Sequence, residues 1–325
     1  MVLAAGLAAT AVVACGSASP TSGPTPSQTV NNALAADFNQ GGLMADVSLD
    51  TTPAILMARS STLSAAQAHE ILSSHLVVST HAMGTATLAA QSAGATSEVS
   101  LQSGTSVLAD IRFIGSELYA RADIAGISQA YGLNKGTVAS FRQALTRAAG
   151  RIPAAAALAN DKWVSLNLSA ALQALGGQFG LGGSTSTTNP ELGAQLAAGL
   201  QGIFAHTAKV ANAGDHYVVT FQDRALLSQV AGLLSSTPAL SVVPGVGSLS
   251  QAANTVSSKK TTMVDVVVSN NHVTQLRLPL GQFDAKKAPS GTDDVVVNLG
   301  AAGAIVAPAS STALKPQQLL QLLTG

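Results

Sequence analysis

Apolar and polar residues alternate repeatedly along this chain, and alternation with period two predicts half-buried antiparallel strands. The segment from Leu43 to Leu49 alternates in this way. So does the segment from Val107 to Phe113, whose opposite face carries Leu108, Asp110 and Arg112. Shorter strands are expected at 99–101, 162–168 and 295–299. The pattern therefore predicts one long antiparallel sheet.

Turn residues separate these segments and predict hairpins. Gly115-Ser116 divides one apolar run from the strand that carries Leu118. Asn270-Asn271 is the strongest signal, because both asparagines tolerate the positive φ of a two-residue type I′ turn. A third turn is expected at 212–214, before Tyr217. The asparagine hairpin would pair Val264, Val266 and Val268 with Leu276, Leu278 and Leu280.

Helices are predicted between the strands. Ser64 opens a helix that runs to Ser74, because Gln67 follows it at the spacing of a capping box. Further helices are predicted at 136–147, 169–179, 189–204 and 223–234, with a Gly/Ser/Thr loop at 180–188. Hairpins with helices inserted between them favour an α+β fold.

The N-terminus has the pattern of a bacterial lipoprotein signal. Residues 2–14 are all Val, Leu, Ala, Gly or Thr, a run too short to span a bilayer but suited to the core of a signal peptide. Val12-Val13-Ala14-Cys15 closes this run and resembles a lipobox, in which the cysteine thiol accepts diacylglycerol and the processed N-terminus takes a palmitate-type acyl chain. The alternative is that Cys15 is an ordinary small residue in an Ala-rich stretch.

These features predict the organisation of the chain. Residues 1–14 are expected to form the signal peptide, residues 15–36 a lipid-anchored flexible tether rich in Ser, Pro, Thr and Gly, residues 37–300 the α+β domain, and residues 301–325 a tail with a short helix. The expected location is the outer face of the cytoplasmic membrane. A signal peptide normally begins with Lys or Arg, whereas the first basic residue here is Arg59, so we expect translation to start upstream of Met1.

Composition excludes some classes of partner. Sixteen basic and sixteen acidic residues cancel, without a contiguous run of one sign, and aromatic residues make up only 3% of the chain. Nucleic acid is therefore not an expected partner, since phosphate binding needs a basic stripe and base stacking needs aromatic platforms. The single cysteine excludes a disulfide within the chain and a multi-cysteine metal site.

No motif in the chain indicates catalysis. The six histidines form no HExxH or other ligand spacing. The adjacent pairs Asp215-His216 and His69-Glu70 are expected to point in different directions, as neighbours on a strand or helix do. Ser257 to Lys260 has the SxxK spacing of penicillin-binding enzymes but lacks the companion SDN and KTG motifs. We expect a non-catalytic protein without a cofactor or a metal.

The order of these pieces resembles the LppX and LprG lipoproteins of actinobacteria, and through them the LolA-like lipoprotein carriers. The matching features are Val12-Val13-Ala14-Cys15, the hairpin from Asp110 to Asp123, the strand opening from Asp161 to Leu166, and the turn at Asn270-Asn271. The resemblance implies a curved antiparallel sheet, or half-barrel, with helices on its concave side closing an apolar cavity for acyl chains. It supplies no catalytic residues.

The resemblance and the alternation together give a candidate cavity lining. These residues are Val107, Ile111, Phe113, Leu118, Trp163, Val164, Leu166, Tyr217, Val219, Phe221, Val264, Val266, Leu276 and Leu278. The leading function is a cell-envelope lipoprotein that binds or carries a lipid or another hydrophobic molecule. Alternatively, the apolar faces pack on the helices as a dry core, and the protein is an envelope interaction module that contacts a partner protein or cell-wall polymer.

Overall fold

A computed structural model of the 325-residue chain describes residues 23–60, 62–90, 95–171, 173, 207–236, 254–283 and 291–318. The helices of this part are α1 (Pro26–Phe38), α2 (Pro53–Arg59), α3 (Ala65–Leu72), α4 (Ile124–Tyr131), α5 (Lys135–Ala149), α6 (Pro153–Ala159) and α7 (Asp223–Ser236). The strands are β1 (Gly42–Asp50), β2 (Ser74–Ala82), β3 (Ala95–Ser103), β4 (Ser106–Ile114), β5 (Glu117–Ala122), β6 (Val164–Asn167), β7 (Ala208–Asn212), β8 (Tyr217–Gln222), β9 (Thr261–Ser269), β10 (His272–Pro279), β11 (Asp294–Ala301) and β12 (Thr312–Ala313).

All twelve strands belong to one open, curled sheet. Their spatial order is β12-β6-β5-β4-β3-β2-β1-β11-β10-β9-β8-β7. Every neighbouring pair is antiparallel except β12 and β6, which run parallel. The sheet consists of two series of neighbouring strands, β2 to β6 and β7 to β11, and β1 joins them by pairing with β2 and β11. The predicted α+β class and the curved antiparallel sheet are confirmed, and the structure adds that the sheet is not closed into a barrel.

The predicted turns form where residues with positive φ were expected. Asn270 and Asn271 have φ values of 52° and 63° and connect β9 to β10. A bulge between Val273 and Gln275 shifts the register of this hairpin, so that Leu276 pairs with Val266 as predicted. Leu280 does not pair, because the chain leaves the sheet after Pro279 and makes a short 3₁₀ turn at Leu280–Phe283.

Three of the predicted helices begin or run as expected. Ser64 caps α3, and the reciprocal hydrogen bonds of a capping box with Gln67 are present. The helix predicted at 136–147 is α5, and the one predicted from Asp223 is α7. The predicted helix at 189–204 and the loop at 180–188 lie outside the described residues, as does most of the helix predicted at 169–179.

Helix α1 corrects the predicted tether. Residues 26–36 were expected to be flexible, but Thr25 caps a helix that begins with Pro26, and Gln28 completes the capping box. Proline at the first helical position needs no hydrogen-bond partner for its nitrogen, so the Pro-rich composition suits a helix start as well as a linker. Val30 and Ala33 are 1% and 0% exposed. The folded body therefore begins at Pro26 rather than at residue 37.

A buried carboxylate fixes the end of α1 to the β9–β10 hairpin. Asp37 is 3% exposed. One carboxylate oxygen accepts a hydrogen bond from the backbone N–H of Val273 at 3.0 Å, and the other lies 2.7 Å from Nδ1 of His272. Gln40 also contacts both Asp37 and His272. These bonds hold α1 across the sheet.

Replacing Asp37 with alanine is expected to lower the free energy of unfolding by about 2–4 kcal/mol, because the buried N–H of Val273 loses its acceptor. The measurement is urea unfolding followed by circular dichroism. Asp215→Ala is the matched control, since that carboxylate also pairs with a histidine but is 94% exposed, and its effect should stay within about 0.5 kcal/mol. Equal unfolding midpoints for the two variants would show that Asp37 does not anchor α1.

Within the described part of the predicted C-terminal tail, residues 312–313 form a strand of the sheet. After β11, residues 302–311 cross the sheet, and β12 then pairs with β6. The Ala302 N–H donates to the Gly42 carbonyl at 3.2 Å, the Val306 carbonyl accepts from Arg112 at 3.0 Å, and the Thr312 N–H donates to the Trp163 carbonyl at 2.9 Å. We call residues 302–311 the strap. Backbone groups of residues 302, 306 and 312 thus fix the strap at both ends and near its middle, and side-chain patterns do not predict such contacts.

Candidate ligand-binding face

One face of the sheet is largely apolar, with single polar residues such as Thr80, Ser97 and Thr312. Residues directly opposite each other on paired strands share a face, and the register joins Leu166, Leu118, Phe113 and Ser97, then Ala120, Ile111, Val99, Val78 and Ala45. The same face continues through Leu299, Val297, Leu276, Val266, Tyr217, Val264 and Val219. No charged side chain of the strands lies on it. We call this surface the apolar face and the opposite one the polar face.

Helices cover the two ends of the apolar face. At the β8–β10 end, Val30 and Ala33 of α1 pack with Val219, Val266 and Val273 in a buried cluster. At the β5–β6 end, α6 contributes Ala154, Ala155 and Ala157 to a second cluster with Val164. Alanine-rich helices can approach a sheet closely, because their side chains are short. Both ends therefore form a filled core.

Between these ends the apolar face remains accessible at β4. Ile111 is 38% exposed and Phe113 is 39% exposed. Their cross-strand neighbours Val99 on β3 and Leu118 on β5 are half-buried. We call these four residues the open patch. One aromatic and three aliphatic side chains here remain in contact with water. Covering them with an apolar molecule would lower the free energy.

Most of the predicted lining residues share the apolar face, but they do not share one environment. Ile111, Phe113 and Leu118 belong to the open patch. Val164, Val219 and Val266 are buried under α6 or α1, so they serve the core. The partly buried remainder on this face is Leu166, Tyr217, Phe221, Val264, Leu276 and Leu278.

Two predicted lining residues, Val107 and Trp163, lie elsewhere. A bulge in β4 places Val107 opposite Gln102, while Ala109 pairs with Leu101. The extra residue, Leu108, reverses the alternation, so Val107 moves to the polar face. Trp163 also lies on the polar face, where the guanidinium carbons of Arg112 and Arg121 lie 4.8 and 5.1 Å from its ring centroid. Sequence alone did not reveal this pair of cation–π contacts.

The arginines that contact Trp163 belong to a charged cluster on the polar face. Arg112 donates to Glu98 at 3.0 Å and to Asp110 at 3.1 Å, and Arg121 lies 3.9 Å from Asp110. Asp110 is only 2% exposed. Burial and the neighbouring Asp110 carboxylate raise the pKa of Glu98 above its ordinary value, and Arg112 opposes that shift. Since Arg112 also bonds to the strap, the cluster connects the strap to the sheet.

Histidines do not converge on a reactive centre in the described part of the chain. Asp215 and His216 hydrogen-bond at 2.7 Å, so the expectation that they point in different directions is wrong. Asp215 lies in the β7–β8 turn, where strand alternation does not apply. The hydrogen bond from His216 lowers the pKa of Asp215. Among the described residues, no group of three His, Cys, Asp or Glu side chains could hold a metal ion.

A shallow depression of about 170 Å³ lies at the other end of the polar face. It is lined by Thr207, Ala208, Lys209, Thr220, Gln222 and Thr261. Its hydroxyl, amide and ammonium groups do not suit an acyl chain, so the open patch remains the candidate for an apolar ligand.

Comparison with known proteins gives no family assignment. No protein-family model matches this chain, and no curated protein matches it either. Within the ranges described above, no helix has both the length and the apolar character needed to cross a bilayer.

Proposed function

We propose that this protein is a cell-envelope lipoprotein that binds or carries a lipid or another hydrophobic molecule without catalysing a reaction. The main support for this proposal is that the open patch is accessible to solvent. A face without charged residues, covered by helices at both ends and accessible at Ile111 and Phe113, presents apolar surface where a soluble domain would normally bury it.

The energetics favour an acyl chain as the ligand. Each methylene removed from water contributes about 0.8 kcal/mol, so ten buried methylenes would contribute about 8 kcal/mol, equivalent to a micromolar Kd. Three cross-strand neighbours of the open patch, Val78, Ala120 and Leu166, are also apolar, and this lets a chain extend across several strands, although Ser97 beside Phe113 is polar. No ion pair is needed for this affinity.

The N-terminal sequence supports the proposed location. Lipid on Cys15 would hold the folded body at the outer face of the cytoplasmic membrane, and this arrangement agrees with the resemblance to LppX, LprG and LolA-like carriers. No cofactor enters this proposal.

The filled ends of the apolar face favour a second candidate function. Because α1 and α6 bury Val219, Val266 and Val164, the accessible apolar surface is limited to the middle strands. A protein or cell-wall partner could use that surface in an envelope interaction module.

Mass spectrometry of the protein purified without detergent distinguishes these functions. Residues 16–325, which include every described element, are produced in a lipid-containing host and measured under native and denaturing conditions. The lipid-carrier proposal predicts a stoichiometric adduct that is retained in the native spectrum and lost on denaturation. A clean apo mass that stays unchanged after incubation with envelope lipids would favour the interaction module.

A further inference from the structure

The chain has a formal net charge of zero, but the segment around α5 is cationic. Between Asp123 and Asp161 the sequence contains Lys135, Arg142, Arg147 and Arg151 but no Asp or Glu. These four residues are a quarter of the sixteen cations of the chain. The remaining residues therefore carry a net charge of −4, opposite in sign to this segment.

The arginines of this segment are available to a partner. Arg142, Arg147 and Arg151 are all exposed, and none of them forms an ion pair with another described residue. The paired arginines on the sheet differ, since Arg112 binds two carboxylates. Positive charge that the protein itself leaves uncompensated is complementary to an anionic surface.

Exposed apolar side chains accompany these charges. Phe141 is 53% exposed on α5, and Leu133, just before the N-cap Asn134, is 46% exposed. Leu145, one turn after Phe141, is buried against α6, so α5 is held to the body by its C-terminal half. A helix that presents arginines together with a large apolar side chain has the composition of a helix that lies at a membrane interface.

We propose that the α5 surface, defined as Leu133, Phe141, Arg142, Arg147 and Arg151, docks onto an anionic phospholipid bilayer. The arginines attract the headgroups, and Phe141 and Leu133 enter the boundary between headgroups and acyl chains. Under the proposed lipid anchor, only ten residues lie between Cys15 and Pro26, and the eleven residue steps from one to the other span at most about 38 Å. The anchor confines the folded body to the neighbourhood of the bilayer, so that even a weak contact by the α5 surface, which lies at the other end of the sheet from α1, is populated.

The docked orientation would also place the open patch near the membrane, a step that rests on the proposed function. Helix α5 packs on α6, and α6 covers Val164 and Ala120. Ala120 is the cross-strand partner of Ile111. The open patch is therefore adjacent to the part of the sheet that α6 and α5 cover, and a lipid could pass between bilayer and patch without crossing the polar face.

Vesicle flotation of unlipidated residues 16–325 tests the docking. Vesicles of phosphatidylcholine alone are compared with equimolar phosphatidylcholine and phosphatidylglycerol. The protein is expected to float with the anionic vesicles, to stay behind with the neutral ones, and to dissociate at about 0.5 M salt, where screening is strong. Absence of binding to the anionic vesicles at low salt would overturn the proposal.

Substitutions locate the contact. The combined change Arg142→Gln, Arg147→Gln and Arg151→Gln is expected to weaken binding roughly 100-fold, and Phe141→Ser roughly tenfold. The control is Lys209→Gln, Lys259→Gln and Lys315→Gln, which removes the same charge from exposed positions elsewhere and should leave most of the binding. An equal loss in both triple variants would mean that net charge alone drives binding, and would overturn the assignment to α5.

Fatty-acid binding without vesicles separates this proposal from the proposed function. The arginine variant should bind a fluorescent fatty acid as the unchanged protein does, because its three positions lie off the apolar face. If no variant binds fatty acid but flotation still depends on α5, the docking surface stands and the carrier function fails. If fatty acid binds and flotation ignores α5, the carrier function stands and the docking fails.

Discussion

Replacing both Ile111 and Phe113 with aspartate is expected to weaken the binding of a fluorescent fatty acid by at least roughly 100-fold. An acyl chain on the open patch would have to desolvate two carboxylates on a face that has no cationic side chain to pair with them, which costs several kcal/mol. Both residues are more than a third exposed in the unliganded protein but otherwise packed on the strand, so the change should lower the free energy of unfolding by about 1–3 kcal/mol. Fluorescence titration and urea unfolding measure the two effects separately.

Met263→Asp provides a matched control for this double variant. Met263 is 45% exposed and precedes Val264 on β9, so its side chain lies on the polar face. Like the double variant, it replaces an exposed apolar residue with aspartate. It should nevertheless leave fatty-acid affinity within about twofold, a difference of less than about 0.5 kcal/mol. Unchanged affinity in the Ile111 and Phe113 variant would place the ligand somewhere other than the open patch.

Replacing Cys15 with serine is expected to abolish lipid attachment completely and to release the protein from the membrane fraction. A hydroxyl does not replace the thiol in the thioether that holds diacylglycerol, and Cys15 is the only cysteine of the chain. Palmitate labelling in a bacterial host and the mass of the mature N-terminus measure the modification. Fractionation of the envelope measures the location.

Ser17→Ala serves as the control for the anchor, because it changes a neighbouring small residue but keeps the thiol. This variant should be labelled and membrane-bound like the unchanged protein. Persistent palmitate labelling of the Cys15→Ser protein would contradict attachment at this position. Since the α5 surface would also contact the bilayer, fractionation of the serine variant is best performed at high salt, where that electrostatic contact is screened.

Local chemistry accounts for what the sequence predicted correctly. One face of the sheet is largely apolar and the other polar, so residues along each strand alternate. The alternation from Val107 to Phe113 therefore located β4, although the bulge at Leu108 places Val107 on the opposite face from the one predicted. Asn270 and Asn271 located a hairpin because few residues tolerate positive φ. Ser64 and Gln67 located the start of α3 through their reciprocal hydrogen bonds.

Features that depend on distant packing could not be predicted in the same way. Helix α1 has the composition of a linker; its Thr25–Gln28 capping box is local, but its contact with Val219 and Val273 depends on distant strands. The strap is held by backbone groups such as the Val306 carbonyl. In the sequence, Trp163 is indistinguishable from an apolar core residue. Its contacts with Arg112 and Arg121 depend on the pairing of other strands. The α5 surface was missed because its cations are spaced several residues apart and form no contiguous run, although residues 124–160 contain no acidic residue.

The pairing of β1 with β11 constrains the order in which this protein can fold. Residues 42–50 need residues 294–301 as their second neighbour, so a contact of very high sequence separation completes the middle of the sheet. Such contacts slow folding, because the chain loses conformational entropy in closing a long loop before the contact can stabilise it. Until β11 is synthesised, β1 is an unpaired edge able to recruit strands from other chains. Truncations that remove β11 should therefore aggregate rather than yield a smaller stable domain.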